Sequence, residues 1–250
     1  MSVLARVIAT FLLLMLCVSA RSEGLVATVA PGQIAVSSSY SGGTVVVFGA
    51  VEKNTLPSHP YDVAVIVTGP RQTVVTRRKG RIGGVWINQD SRTFHNVPSF
   101  LVVSATRPLN AIASTDVLRR QGIGIKNALF DAGVTPNDND PFLINFVNVR
   151  LQEGLFNERS GGVTFLSRTA FRAEIPLPDN VPVGDYEVNL KLLQQGEIVG
   201  ETLSSFTVVK VGVEDFVVKA AANYSLIYGL GVMSMALFTG WLASIAFRRD

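Results

Sequence analysis

Val183-Gly184-Asp185-Tyr186-Glu187-Val188-Asn189-Leu190-Lys191-Leu192-Leu193 decides how this chain folds. Residues 183–186 read as a turn, and residues 187–193 as a strand. A glycine two residues ahead of a tyrosine sets that ring at the mouth of a strand. There its hydroxyl can cap a backbone corner, a habit of the penultimate strand in a β-sandwich.

The same punctuation continues on both sides. Gln195 and Gly196 turn the chain, and residues 198–211 return as a long last strand. Upstream, residues 163–166 and 170–175 form a pair closed by Pro176 and Pro178. Nearer the start, residues 33–39 alternate weakly, and Ser41-Gly42-Gly43 turns into a β-branched strand at 44–51. Residues 61–68 are another apolar strand, stopped by Gly69-Pro70. Residues 72–78 and 84–88 flank a basic, glycine-rich turn, and 100–104 is a further strand. Short strands separated by Gly and Pro predict a mainly β fold, an immunoglobulin-like sandwich.

The middle of the chain interrupts it with a helical insertion at about 111–157. Ser114 caps a short helix through Arg120, with Gly122 ending it. Asp140-Pro141 is a cap followed by a proline at the first helical position. In residues 142–156, Leu143, Val147, Leu151 and Leu155 recur every fourth position, and Phe142, Phe146 and Val149 widen that face. The spacing predicts an amphipathic helix of about four turns.

Residues 220–247 run for 28 positions without one charge and close on Arg248 and Arg249. At 1.5 Å per residue that is roughly 42 Å of helix, more than the roughly 30 Å of a bilayer's hydrocarbon core. Lys and Arg favour the cytoplasmic side, so Arg248 and Arg249 anchor the topology with the rest of the chain outside. The amino terminus agrees. Arg6, an apolar stretch at 7–18 and Val18-Ser19-Ala20 read as a signal peptide cut after Ala20, with an uncleaved second anchor as the alternative. The expected division is a signal peptide at 1–20, a periplasmic sandwich at 21–215, a transmembrane helix at 216–247 and a tail at 248–250. That places the protein in a bacterial inner membrane, crossing it once. Cleavage would remove Cys17, the sole cysteine, leaving no disulfide to stabilise the sandwich. Leu16 is too large for a lipoprotein cleavage site at Cys17.

The chain carries a formal charge of +3, unevenly spread. Residues 21–126 hold 12 Lys or Arg against 5 Asp or Glu; residues 127–215 hold 6 against 13. Arg71, Arg77, Arg78, Lys79 and Arg81 form the densest cluster, a candidate anion or headgroup patch. No aromatic residues interleave with it and the compartment is wrong for nucleic acid, so nucleic acid is not an expected partner.

Catalytic chemistry has little material. His59 and His95 are the two histidines, without metal-ligand spacing or a cysteine partner. Asp138, Asn139 and Asp140 lack the glycine and glutamate of a calcium loop. Gly122-Ile123-Gly124 lacks the rest of a dinucleotide loop, and no nucleophile elbow occurs. The expectation is no cofactor, no metal and no enzyme activity, with a periplasmic hydrolase as a remote alternative. The span offers more. Ala221, Ser225 and Gly229, then Ala236, Gly240 and Ser244, repeat small residues every fourth position. Small side chains let a second helix approach closely, whether a membrane-protein partner or a second copy.

Val46-Val47-Phe48-Gly49-Ala50, Val85-Trp86-Ile87-Asn88, Pro98-Ser99-Phe100 and Arg107-Pro108-Leu109, with the signal peptide and the C-terminal span, resemble the Alph_Pro_TM family of alphaproteobacterial transmembrane proteins. The resemblance covers essentially the whole chain and carries no catalytic residue with it. It implies a gene neighbourhood with sulfite exporters of the TauE/SafE type, and so an accessory role at such a transporter. The function expected is thus a membrane-anchored periplasmic interaction module. The alternative is a periplasmic anion-binding module built on the 71–81 cluster.

Overall fold

The computed structural model describes residues 24–52, 60–131, 140–212, 217 and 221–246. Twelve strands form among them: β1 (Gly24–Ala30), β2 (Gln33–Val36), β3 (Gly43–Glu52), β4 (Asp62–Thr68), β5 (Arg71–Ile82), β6 (Val85–Pro98), β7 (Leu101–Ala105), β8 (Phe156–Ser160), β9 (Val163–Phe165), β10 (Ala170–Leu177), β11 (Gly184–Gln194) and β12 (Glu197–Lys210). Four helices, α1 (Leu109–Ile112), α2 (Thr115–Arg120), α3 (Ile125–Asp131) and α4 (Pro141–Gln152), lie between β7 and β8. The last element is α5 (Ser225–Ala246).

One sheet has the order β1-β3-β10-β9, the other β2-β12-β11-β4-β7-β8. The chain changes sheet between β1 and β2, and β2 lies parallel to β12. This is the immunoglobulin-like arrangement that the turn at 183–186 predicts. The Tyr186 hydroxyl donates to the Pro182 carbonyl at 2.6 Å. Its buried ring stacks on Phe206, with centroids 4.8 Å apart, and meets Phe100 edge-on.

Sequence pattern follows burial. β3 alternates, with Val45, Val47 and Val51 turned to the core. β4 and β7 are buried almost throughout, because the second face of their sheet is also covered. The helices supply that cover: α3 packs on β7 and β8, and Gln121, just past α2, meets Lys191 of β11. Ser114 caps α2 by accepting from the Val117 amide, as expected.

Three sequence expectations need adjustment. The helix expected at 142–156 spans Pro141–Gln152 and buries Leu143 and Phe146, while Leu151 is exposed. Gly154 takes a positive φ of 71°, which ends the helical path, and Leu155 leads into β8. The strands around the basic turn are longer than their patterns suggest, reaching from Arg71 to Pro98 with a tight turn at Gly83 and Gly84. Pro176 does not close its strand; β10 continues to Leu177.

The β5–β6 arm and the C-terminal helix

Among the described residues β5 and β6 pair only with each other, forming a two-stranded arm between two central strands of the larger sheet. Two backbone bonds pin its base: the Gly69 amide donates to Phe100 and the Ser99 amide to Pro70, each at 2.9 Å. Gly184 has a φ of 142°, and a Cβ there would come within 2.9 Å of the Pro70 ring. Only glycine lets the start of β11 pass so close to the arm's base.

Side chains alternate along β5, so the arm has two faces. The first face packs on α4. Phe94 stacks on Phe146 at 5.6 Å, Arg92 pairs with Asp140, and the Arg78 guanidinium lies 6.0 Å from the Phe142 ring while pairing with Asp90. Asp140 also caps α4, accepting from the Phe142 amide at 3.1 Å. Between β5 and α4 lies an open groove of about 520 Å³, lined by the whole run 74–79 of β5 with Phe142, Phe146 and Arg150 of α4; alternation along the strand aims the Val74, Thr76 and Arg78 side chains at α4. The opposite face carries Val75, Arg77, Lys79 and Arg81, all exposed, and register sets Arg81 across from Trp86.

The basic cluster is therefore divided. Arg71 sits at the base, donating to the Asn96 carbonyl. Arg78 faces α4, and Arg77, Lys79 and Arg81 face away. Arg71 and Arg81 are ten residues apart on one strand, roughly 33 Å, so they do not converge on one small anion. His95 is exposed beside Thr73. His59, Cys17, Asp138 and Asn139 lie outside the described residues, as do the signal peptide and the anchors Arg248 and Arg249.

Two clusters escape the sequence reading. In one, Lys191 is buried and donates to Glu201 at 3.0 Å and to Gln121 at 3.3 Å, beside a hollow of about 270 Å³ that also touches Arg71 and Arg120. In the other, Asp62 accepts from Thr106 and from Arg107 Nε, both at 2.8 Å. Burial pushes both the Asp62 and Glu201 carboxyls up, but the hydrogen bonds and charges of their partners outweigh it and hold them below the usual range. A lysine inside the apolar run Leu190-Lys191-Leu192-Leu193 was the available signal.

α5 has an apolar window, Ser225–Ile245, of 21 residues with mean hydropathy 1.6, none of it packed inside the protein. At roughly 100° per residue, Ser225, Gly229, Ala236 and Gly240 fall within about 60° of one another; Ser244 flanks that stripe, and Ala221 lies ahead of α5, beyond a bend at Tyr224. A Cβ added at Gly229 or Gly240 would meet nothing within 4 Å.

An immunoglobulin-like sandwich with, among the described residues, one helix long and apolar enough to cross a bilayer defines a membrane-associated β-sandwich protein. The chain belongs to the family described as "Putative transmembrane protein (Alph_Pro_TM)", whose profile matches residues 24–249. No curated protein sequence matches it. Among solved structures it is similar to AggA, the major subunit of aggregative adherence fimbriae type I from Escherichia coli. That likeness has 10% identity and a TM-score of 0.29, over 76% of this chain and 95% of the fimbrial one. A score that low carries no argument, and the fold rests on its own strand order.

Proposed function

We propose that this chain is a single-pass accessory protein of the bacterial inner membrane. Its sandwich stands in the periplasm, and the chain engages a membrane-protein partner, an exporter of the sulfite type being the first candidate, or a second copy of itself. The observation that carries the reading is α5: an apolar helix of spanning length, free of the sandwich, with its small residues on one open stripe.

The module is read as non-catalytic. Asp62, Asp140 and Glu201 are engaged by Arg107, Arg92 and Lys191, and exposed His95 lies 3.5 Å from the Thr73 hydroxyl. The anion-binding alternative is weakened by the division of its cluster.

The test has two parts. A reporter active only in the periplasm, fused to Asp250, should stay silent, and activity there would overturn the topology. A mild-detergent pull-down of the full chain should recover one integral membrane protein in stoichiometric amount, or a second copy. Recovery of the chain alone as a monomer would remove the accessory role.

A further inference from the structure

The tip of the β5–β6 arm exposes three large apolar residues in succession: Val85 is 63% exposed, Trp86 65% and Ile87 43%. Soluble strands seldom leave such a run in water without a use for it. Behind the tip, Arg77, Lys79 and Arg81 project from the face turned away from α4. Trp86 lies across from Arg81, so an amphipathic ring and three cations share one surface. Tryptophan favours the boundary between headgroups and acyl chains, and lysine and arginine favour the phosphates just outside it.

Topology says which surface is near. Val208, two residues before the end of β12, pairs with Gly184, and Gly184 touches Pro70 at the arm's base. β4 runs in the same sense as β12, because both lie antiparallel to β11. The arm therefore leaves the sandwich at the edge from which the chain departs for α5. Fourteen residues separate Lys210 from Ser225, a reach of at most roughly 50 Å. The 12 residues of β5 span roughly 40 Å. An arm of that length, rooted at the tethered edge, can reach the bilayer that holds the tether.

We infer that the β5–β6 arm is a second membrane contact. Its tip inserts Trp86 and its apolar neighbours among the lipid headgroups, and Arg77, Lys79 and Arg81 bind the phosphates of anionic phospholipids. Docking at two points would fix the sandwich's orientation on the membrane, which attachment at one point leaves free. The inference rests on α5 crossing the membrane and not on the identity of any protein partner.

The experiment uses the full chain carrying Trp241→Phe, which leaves Trp86 as the sole tryptophan. It is reconstituted into vesicles of phosphatidylethanolamine and phosphatidylglycerol. Lipids brominated near the headgroup should quench Trp86 more than lipids brominated near the chain ends, and aqueous acrylamide should reach it poorly. Each cation near an anionic surface favours docking about fivefold. The exposed triple substitution Arg77→Gln, Lys79→Gln, Arg81→Gln should thus lower the docked-to-undocked ratio roughly a hundredfold. Vesicles without phosphatidylglycerol should weaken docking in the same direction. A Trp86 that emits as in water and resists both brominated lipids overturns the inference. So does a Trp86 shielded in native membranes but open in pure lipid, which would make the arm a protein-docking surface instead. Lipid quenching of Trp86 that fails while the pull-down succeeds would sink this inference and leave the accessory role standing.

Discussion

The hydroxyl of Tyr186 donates to the carbonyl of Pro182 at 2.6 Å, closing a corner just before β11 enters the larger sheet. The bond sits in a buried setting, where an unpaired carbonyl is costly. Tyr186→Phe keeps the ring stacked on Phe206 but strips the donor. It should lower unfolding stability by about 1–3 kcal/mol, measured by urea denaturation, with the fold intact. No loss would mean that water satisfies Pro182 and the corner is ornamental to stability.

Gly49 has a different task. A Cβ there would lie 2.2 Å from the Phe171 ring, which covers the glycine from the neighbouring strand. Phe171 is buried and its ring meets Phe165 edge-on, so it has little room to retreat. Gly49→Ala should destabilise the sandwich by about 1–3 kcal/mol through overpacking. Gly49→Ala combined with Phe171→Leu should recover part of the loss. If the double variant falls by the sum of the two single losses, the residues are not coupled as drawn.

How far the sequence discloses this molecule depends on how local each signal is. The Tyr186 corner, the cap at Ser114 and the charge-free run are written in neighbouring residues and are plain in the text. The arm is not. Gln89-Asp90-Ser91-Arg92 is polar on both faces, so the strand periodicity vanishes where β6 leaves the sheets. β8 is hidden for another reason: Leu155 continues the four-residue spacing of α4, and only the backbone at Gly154 shows that the helix has ended. The basic cluster looks continuous in sequence because neighbours in a strand point to opposite faces. Once 71–82 is one strand, Arg78 must part from Arg77 and Lys79. The Asp62 and Lys191 clusters depend on residues more than forty positions apart in sequence, Thr106 and Gln121 among them, which no local pattern relates.

Asp62 and Glu201 imply an acid limit. Burial raises each carboxyl's pKa, and the hydrogen bonds and charges from Arg107 with Thr106, and from Asn189 with Lys191, more than reverse it. A folded-state pKa below the unfolded value means that the unfolded chain binds protons first as pH falls. The stabilisation is present above the unfolded carboxylate range of about 4 and is lost as pH drops through the folded values. Thermal midpoints should hold between neutrality and about pH 5, then fall. Arg107→Gln should lower the neutral midpoint and flatten that acid limb. A limb of unchanged slope in the variant would show that Asp62 is not what titrates.

The last expectation concerns α5. Apolar side chains gain little by leaving lipid for another apolar surface, so helix association needs close backbone approach. Gly229 and Gly240 lie on the stripe where a neighbouring helix could approach, and nothing among the described residues fills the space beside them. Gly229→Ile and Gly240→Ile would hold a second helix away. They would not impair insertion, since isoleucine favours the bilayer by about 0.6 kcal/mol on the insertion scale. Each should therefore reduce co-purification of the partner or second copy while membrane levels of the chain stay constant. Leu230→Ile, nearly a third of a turn from Gly229, should leave recovery unchanged. If both isoleucine variants bring down the wild-type amount, the stripe makes no contact, and the sandwich, its arm included, must hold the partner.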